Sequence, residues 1–212
     1  MTIAIKYLTL GIAATNTYLI ADEDTHEAIL IDPVDQAELL VKTAADAGWT
    51  IKLILATHAH FDHVLASKAL KELTGAPFYI HSEAATWLKN LPESGVRFTG
   101  TPFPEAALPD RLLTTDPETL TLGAIALETL YTPGHAPGHL AFYMRDQGVV
   151  FSGDALFAGS IGRTDLPGSN HAQLMQSIRE KLLTLPDKTN VLSGHGESTT
   201  IGKERATNPF LM

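Results

Sequence analysis

The 212-residue chain contains no cysteine. That excludes disulfides, thiolate metal ligands and a cysteine nucleophile, so any metal has to be held by nitrogen and oxygen. It has no run of basic residues and carries a formal charge of −9, which argues against a nucleic-acid or anionic-membrane surface. No apolar stretch reaches membrane-spanning length. The first twenty residues, with Thr9, Thr15, Asn16 and Thr17, lack the basic-then-apolar order of a signal peptide. These absences predict a cytoplasmic protein that binds neither nucleic acid nor membrane. With 44% hydrophobic residues the chain can bury a sizeable core, and a single domain over residues 1–212 is expected.

β-Branched or aromatic runs at Ile3–Leu10, Asn16–Ala21 and Ala28–Ile31, separated by turn-prone residues, predict a β-meander. Helical spacing of Ala37, Leu40, Val41, Ala44 and Ala45 predicts a helix over Asp35–Gly48, leading into a strand at Ile51–Ala56. Helices are expected at Val64–Leu73 and at Ser82–Asn90, the latter capped by Ser82, with a strand at Pro77–His81 between them. The five prolines from Pro92 to Pro117 predict an irregular surface excursion that could build an apolar cleft. Strands at Ile125–Tyr131, His139–Met144 and Val149–Ser152, a helix over His171–Leu183 and a strand at Asn190–Ser193 complete the pattern. Two meander-plus-helix halves predict an α/β arrangement of two sheets with helices outside.

The chemistry is concentrated in Thr57-His58-Ala59-His60-Phe61-Asp62-His63, four potential metal ligands in seven residues directly after an apolar strand. His58 and His60 alternate with Ala59, so an extended backbone throws both imidazoles to one side, while a turn aims Asp62 and His63 at a second point. Three further ligand types follow strands: His135 in a Pro- and Gly-rich loop, Asp154 after Gly153, and His195 after Gly194. A Gly-Asp or Gly-His after a strand is weak evidence by itself. Together the five His and two Asp suffice for two ions if one carboxylate bridges. Two divalent ions, two aspartates and a hydroxide leave about one net positive charge to polarise a carbonyl, and metal binding lowers the pKa of water to about 7. Water is therefore the expected nucleophile, with Asp62 orienting it or accepting its proton. His139 is expected to support the site by hydrogen bonding, and Asp32 to satisfy backbone beside it. Surface or capping roles are expected for His26, His81 and His171.

Thr57–His63, Thr132–His135, Ser152–Asp154 and Ser193–His195 resemble the successive motifs of the metallo-β-lactamase superfamily. The resemblance implies a four-layer αββα sandwich. It implies one metal on His58, His60 and His135, a second on Asp62, His63 and His195, and Asp154 bridging. Asn16–Ile20, Pro133–His139, Gly162–Asp165 and Asn208–Leu211 are most similar to the short glyoxalase II-like branch. That implies hydrolysis of S-D-lactoylglutathione or related thioesters with Zn²⁺, Fe or Mn. The long enzymes of that type carry a C-terminal helical domain that holds glutathione, whereas 17 residues follow His195 here. They also place Lys, Tyr and Tyr where this chain has Arg163, Asp165 and Glu197. Arg163 is a candidate clamp for a substrate carboxylate, with pairing to Asp165 as the alternative; Lys203 and Arg205 are weaker candidates. The Gly162–Asp165 segment also resembles persulfide dioxygenases, where a single Fe²⁺ would take His58, His135 and Asp154. A lactonase or β-lactamase-like hydrolase and a metal-storage module are further alternatives. The sequence leaves the oligomeric state open.

Overall fold

The computed structural model describes residues 2–212, and the chain forms two compact units. The first comprises the chain up to Leu113 together with Thr121–Ile125; the second comprises Thr114–Leu120 and Ala126–Met212.

The first unit holds a six-stranded sheet in the order β1-β2-β3-β4-β5-β6. β1 (Ile3–Leu10), β2 (Thr15–Asp22) and β3 (Glu27–Ile31) form the antiparallel meander that the sequence predicts. β4 (Thr50–Leu55), β5 (Phe78–His81) and β6 (Arg111–Leu113) then add in parallel. α1 (Ala37–Asp46) crosses from β3 to β4, and α3 (Ser67–Thr74) from β4 to β5. Leu19, Leu30, Ile54 and Phe78 of the sheet pack with Leu40 of α1 and Leu70 of α3 into one core. Each such buried side chain contributes about 1.5–3 kcal/mol. Parallel pairing brings the carboxyl ends of β3 and β4 to one edge: Ile31 lies opposite Leu55, and the next residue, Asp32, donates its N–H to the Leu55 carbonyl at 2.8 Å. Such edges are where open parallel sheets present functional loops.

Three local expectations need correction. The helix expected over Val64–Leu73 is divided into α2 (Phe61–Val64) and α3, with a break at Leu65-Ala66. Ala66 donates its N–H to the Pro33 carbonyl at 3.0 Å, a tertiary bond that no local pattern encodes. The helix expected at Ser82–Asn90 is α4 (Ser82–Ala85) followed by a 3-10 turn at Leu88–Asn90, and His81 rather than Ser82 is its cap. Finally, the Pro92–Pro117 stretch is not wholly irregular. Pro92 sits in the first turn of α5 (Leu91–Thr99), where its missing N–H costs nothing, and β6 extends the sheet.

The second sheet runs β14-β13-β10-β9-β8-β7, from β7 (Thr119–Leu122), β8 (Ile125–Tyr131), β9 (Leu140–Met144), β10 (Val149–Gly153), β13 (Asn190–Ser193) and β14 (Thr199–Thr200). A small hairpin of β11 (Leu156–Phe157) and β12 (Ser160–Ile161) follows β10. α6 (His171–Ser177), capped by Asn170, continues as a wider π-type turn over Ile178–Leu182 within the span where one regular helix is expected. Tyr143, Val150 and Val191 pack with Leu156, Leu174, Ile178, Leu182 and Ile201. α7 (Ile201–Thr207) belongs to this unit. Its buried Glu204 accepts from Thr199 Oγ1 at 2.6 Å, Gly159 N–H at 2.8 Å and Asn208 Nδ2 at 2.8 Å. The C-terminal run is thereby tied to the β11–β12 hairpin. Among the described residues no helix is long and apolar enough to cross a membrane.

Candidate metal centre

In the first unit the loop after β4 gathers His58, His60, Asp62 and His63. His58 and His63 are buried, and their rings lie 4.1 Å apart between centroids. His58 Nε2 faces His60 Nδ1 at 3.0 Å, and His63 Nε2 lies 3.6 Å from Asp62 Oδ2. Asp32 organises the group. Its Oδ1 accepts the Thr57 N–H at 2.7 Å, and its Oδ2 accepts both the Thr57 hydroxyl at 2.9 Å and His63 Nδ1 at 2.8 Å. With the Thr57 proton directed at Asp32, the 3.0 Å contact between Thr57 Oγ1 and His58 Nδ1 has to be donated by the imidazole. One buried carboxylate therefore fixes the tautomer of His58 and of His63, leaving Nε2 of each as an acceptor. Asp32 adopts φ 58, a left-handed conformation that Asp tolerates better than most side chains. Thr15 donates its hydroxyl to Asp62 Oδ2 at 2.8 Å.

In the second unit β10 and β13 run parallel, with Gly153 opposite Ser193 and Gly194 N–H bonded to the Gly153 carbonyl at 2.9 Å. The next residues, Asp154 and His195, therefore emerge side by side. Asp154 Oδ2 lies 3.3 Å from His195 Nε2 and 3.5 Å from His135 Nε2. His135 donates Nδ1–H to the Arg163 carbonyl at 2.8 Å, which leaves its Nε2 as an acceptor. His139 uses both ring nitrogens: Nε2 accepts the Asp154 N–H at 3.0 Å, and Nδ1 donates to Thr132 Oγ1 at 2.9 Å. It positions Asp154 and offers no lone pair to a metal. Two glycines make the packing possible. A Cβ on Gly162 would lie 1.9 Å from the Asp154 carbonyl oxygen, and one on Gly134 would lie 2.1 Å from the Leu174 amide nitrogen.

Both sets fit a metal. Ligand atoms about 2.0–2.1 Å from a tetrahedral ion are roughly 3.3 Å apart, and the contacts of 3.0, 3.3, 3.5 and 3.6 Å are of that size. The acceptor Nε2 of His135 faces a carboxylate oxygen, as does that of His63, an arrangement that a shared cation stabilises.

The remaining candidates separate clearly. Arg163 forms a bidentate pair with Asp165, Nε to Oδ1 and Nη2 to Oδ2 both at 2.7 Å. The guanidinium holds the Asp165 carboxyl down at about 2. Arg205 pairs with Asp187 and with the Leu185 carbonyl, which accounts for it structurally. His81 caps α4 by accepting the Glu83 N–H at 3.2 Å, and burial pushes its pKa down. His26 sits in a turn with φ 60, and His171 begins α6. Sequence reasoning missed Thr15, Thr57, Thr132 and the Arg163 carbonyl. Thr57 and Thr132 carried one available signal, since each lies just past a strand end beside a ligand loop.

These loops and this α/β fold with two sheets define a metal-binding hydrolase class. The family model for the metallo-beta-lactamase superfamily matches residues 10–195, and the chain belongs to that superfamily. A curated relative, the hydroxyacylglutathione hydrolase GloC of Haemophilus influenzae, is 43% identical over 92% of this chain and 92% of its own. The crystal structure of the BLEG-1 B3 metallo-beta-lactamase is 42% identical, covers 99% of this chain and 100% of its own, and superposes with a TM-score of 0.92. The crystal structure of TTHA1623 in a di-iron-bound form is 41% identical, covers 97% and 100%, and gives a TM-score of 0.87. The family places the chain among metallo-hydrolases and its ligands among those for divalent metals.

Proposed function

We propose that the chain is a binuclear thioester hydrolase of the glyoxalase II type, a single domain acting on S-D-lactoylglutathione or related small thioesters. His58, His60 and His135 would hold one ion, Asp62, His63 and His195 the other, and Asp154 would serve both. The observation that carries this reading is the Asp154 carboxylate, whose Oδ2 faces the Nε2 atoms of His135 and His195 at 3.5 and 3.3 Å. A carboxylate between two imidazoles assigned to different ions is what a bridge requires. The similarity to a hydroxyacylglutathione hydrolase supports the substrate class, and the similarity to a protein solved with two irons supports the metal count. Zn²⁺, Fe²⁺ and Mn²⁺ all suit this nitrogen and oxygen set.

When bound, the metals supply Lewis-acid polarisation of the thioester carbonyl and acidify water. The chain's own residues do the rest. Asp32 keeps His58 and His63 in the tautomers that present Nε2. Thr15 orients Asp62, whose carboxylate takes the proton of the attacking water as the new C–O bond forms. The C–S bond then breaks and the departing thiolate takes that proton back from Asp62, which regenerates the carboxylate. His139 holds the Asp154 backbone still throughout.

The test is metal content per chain, measured on the same preparation that is assayed anaerobically on S-D-lactoylglutathione and aerobically on glutathione persulfide. Two metals with anaerobic hydrolysis are expected. One iron with oxygen uptake would replace this reading with the dioxygenase one.

A further inference from the structure

Phe61 lies between two ligand candidates, His60 and Asp62, and its ring does not stand alone. It packs against Phe98 at 5.2 Å and Phe103 at 5.1 Å between centroids, with interplanar angles of 35° and 31°. Phe61 and Phe103 rest on the core of the first unit, whereas Phe98, near the end of α5, is 53% exposed. The cluster is built rather than incidental. Gly95 of α5 lets the returning Thr101–Phe103 segment come so close that a Cβ there would lie 2.1 Å from the Phe103 amide nitrogen and 2.8 Å from its ring. That approach brings Phe103 against Phe61. A three-ring surface, anchored beneath and open at Phe98, thus adjoins the metal-ligand loop.

We infer that Phe61, Phe98 and Phe103 form a specificity wall for an apolar group flanking the scissile thioester. The preferred substrate class is then thioesters with an alkyl or aryl extension rather than a small hydroxylated acyl group alone. This rests on the thioesterase reading above. Aromatic rings supply contact area at low entropy cost, and an exposed ring beside a reactive loop gains most when a ligand covers it. Methylenes entering such a wall raise kcat/KM steeply, because each is removed from water as the substrate binds.

The experiment uses metal-loaded protein and homologous thioesters lengthened by methylenes on the acyl side and, separately, on the thiol side. For the wild type, kcat/KM should climb about tenfold or more along at least one series. Phe98→Ala should flatten that climb. Val96→Ala, an equally exposed apolar residue on the same helix outside the ring cluster, should keep it. A flat wild-type profile, or an unchanged slope in Phe98→Ala, overturns the wall. A calorimetric titration with the matching thioethers, which cannot be hydrolysed, separates the two readings. Chain-length-dependent binding that Phe98→Ala abolishes, without turnover of any thioester, would sink the hydrolase assignment and leave the wall standing. Binding indifferent to chain length would remove the wall.

Discussion

The Asp154 amide donates to His139 Nε2 at 3.0 Å, so the carboxylate proposed as the bridge is held through its backbone by a histidine whose two ring nitrogens are both engaged in hydrogen bonds. Both groups are buried. His139→Ala should leave that N–H without its acceptor and open a cavity, costing about 2–4 kcal/mol of stability. Chemical denaturation would measure it, and metal analysis after dialysis should show reduced occupancy. Wild-type values in both would show that the contact is dispensable.

Asp32→Asn tests the tautomer relay with little change in shape. Asn tolerates the left-handed backbone at this position, and its carbonyl can still accept the Thr57 N–H. What it loses is the negative charge that two donors share. Metal affinity, followed by competition with a chromogenic chelator, should fall about 10–100-fold. A fold kept intact with undiminished affinity would refute the relay.

Gly162 and Gly159 make a matched pair. An added Cβ at Gly162 meets backbone at 1.9 Å, whereas Gly159, with φ 67, has nothing within 4 Å. Gly162→Ala should cost about 1–3 kcal/mol and displace the Asp154 loop, lowering metal content as well. Gly159→Ala should cost about 1–2 kcal/mol from backbone strain alone and leave metal content unchanged. Thermal melts with parallel metal analysis distinguish the two.

Acid stability follows from Asp22. The Ala124 N–H, at 2.8 Å on Oδ2, and then the Asp24 N–H, at 2.9 Å on Oδ1, hold its carboxyl below the ordinary value of 3.8. A depressed folded-state pKa contributes stability that is fully present above the unfolded-state value and is lost as pH falls through the folded one. Denaturant midpoints recorded from pH 6 downward should therefore drop below about pH 4, and Asp22→Asn should make that decline shallower. An identical acid limb in the variant would exclude Asp22 as a contributor.

Arg163→Ala should leave metal affinity within about twofold of wild type, because His135 is held by the residue's carbonyl and the guanidinium is occupied by Asp165. Chelator competition decides this. A marked loss would mean that the side chain supports the centre after all.

The superfamily and the grouping of the candidate ligand side chains were legible in the sequence because the motifs are local. His58, His60, Asp62 and His63 fall within six residues with a distinctive spacing, and the apolar runs before Asp154 and His195 are strands in the structure. The division between α2 and α3 was not legible, since it depends on Ala66 reaching the Pro33 carbonyl. Nor was the order in Pro92–Pro117, where Pro92 starts a helix that prolines usually end. Thr15 and Asp62 are 47 residues apart, and a hydroxyl that finds its partner across a sheet leaves no periodicity to detect.

The Arg163 carbonyl has one further implication. A main-chain oxygen is supplied by every amino acid, so the geometry around His135 makes no demand on which side chain stands at 163. Exposed side chains there can be exchanged in the course of divergence without the ligand being disturbed. Position 163 can thus vary in side chain while the bond that holds the His135 ring stays the same.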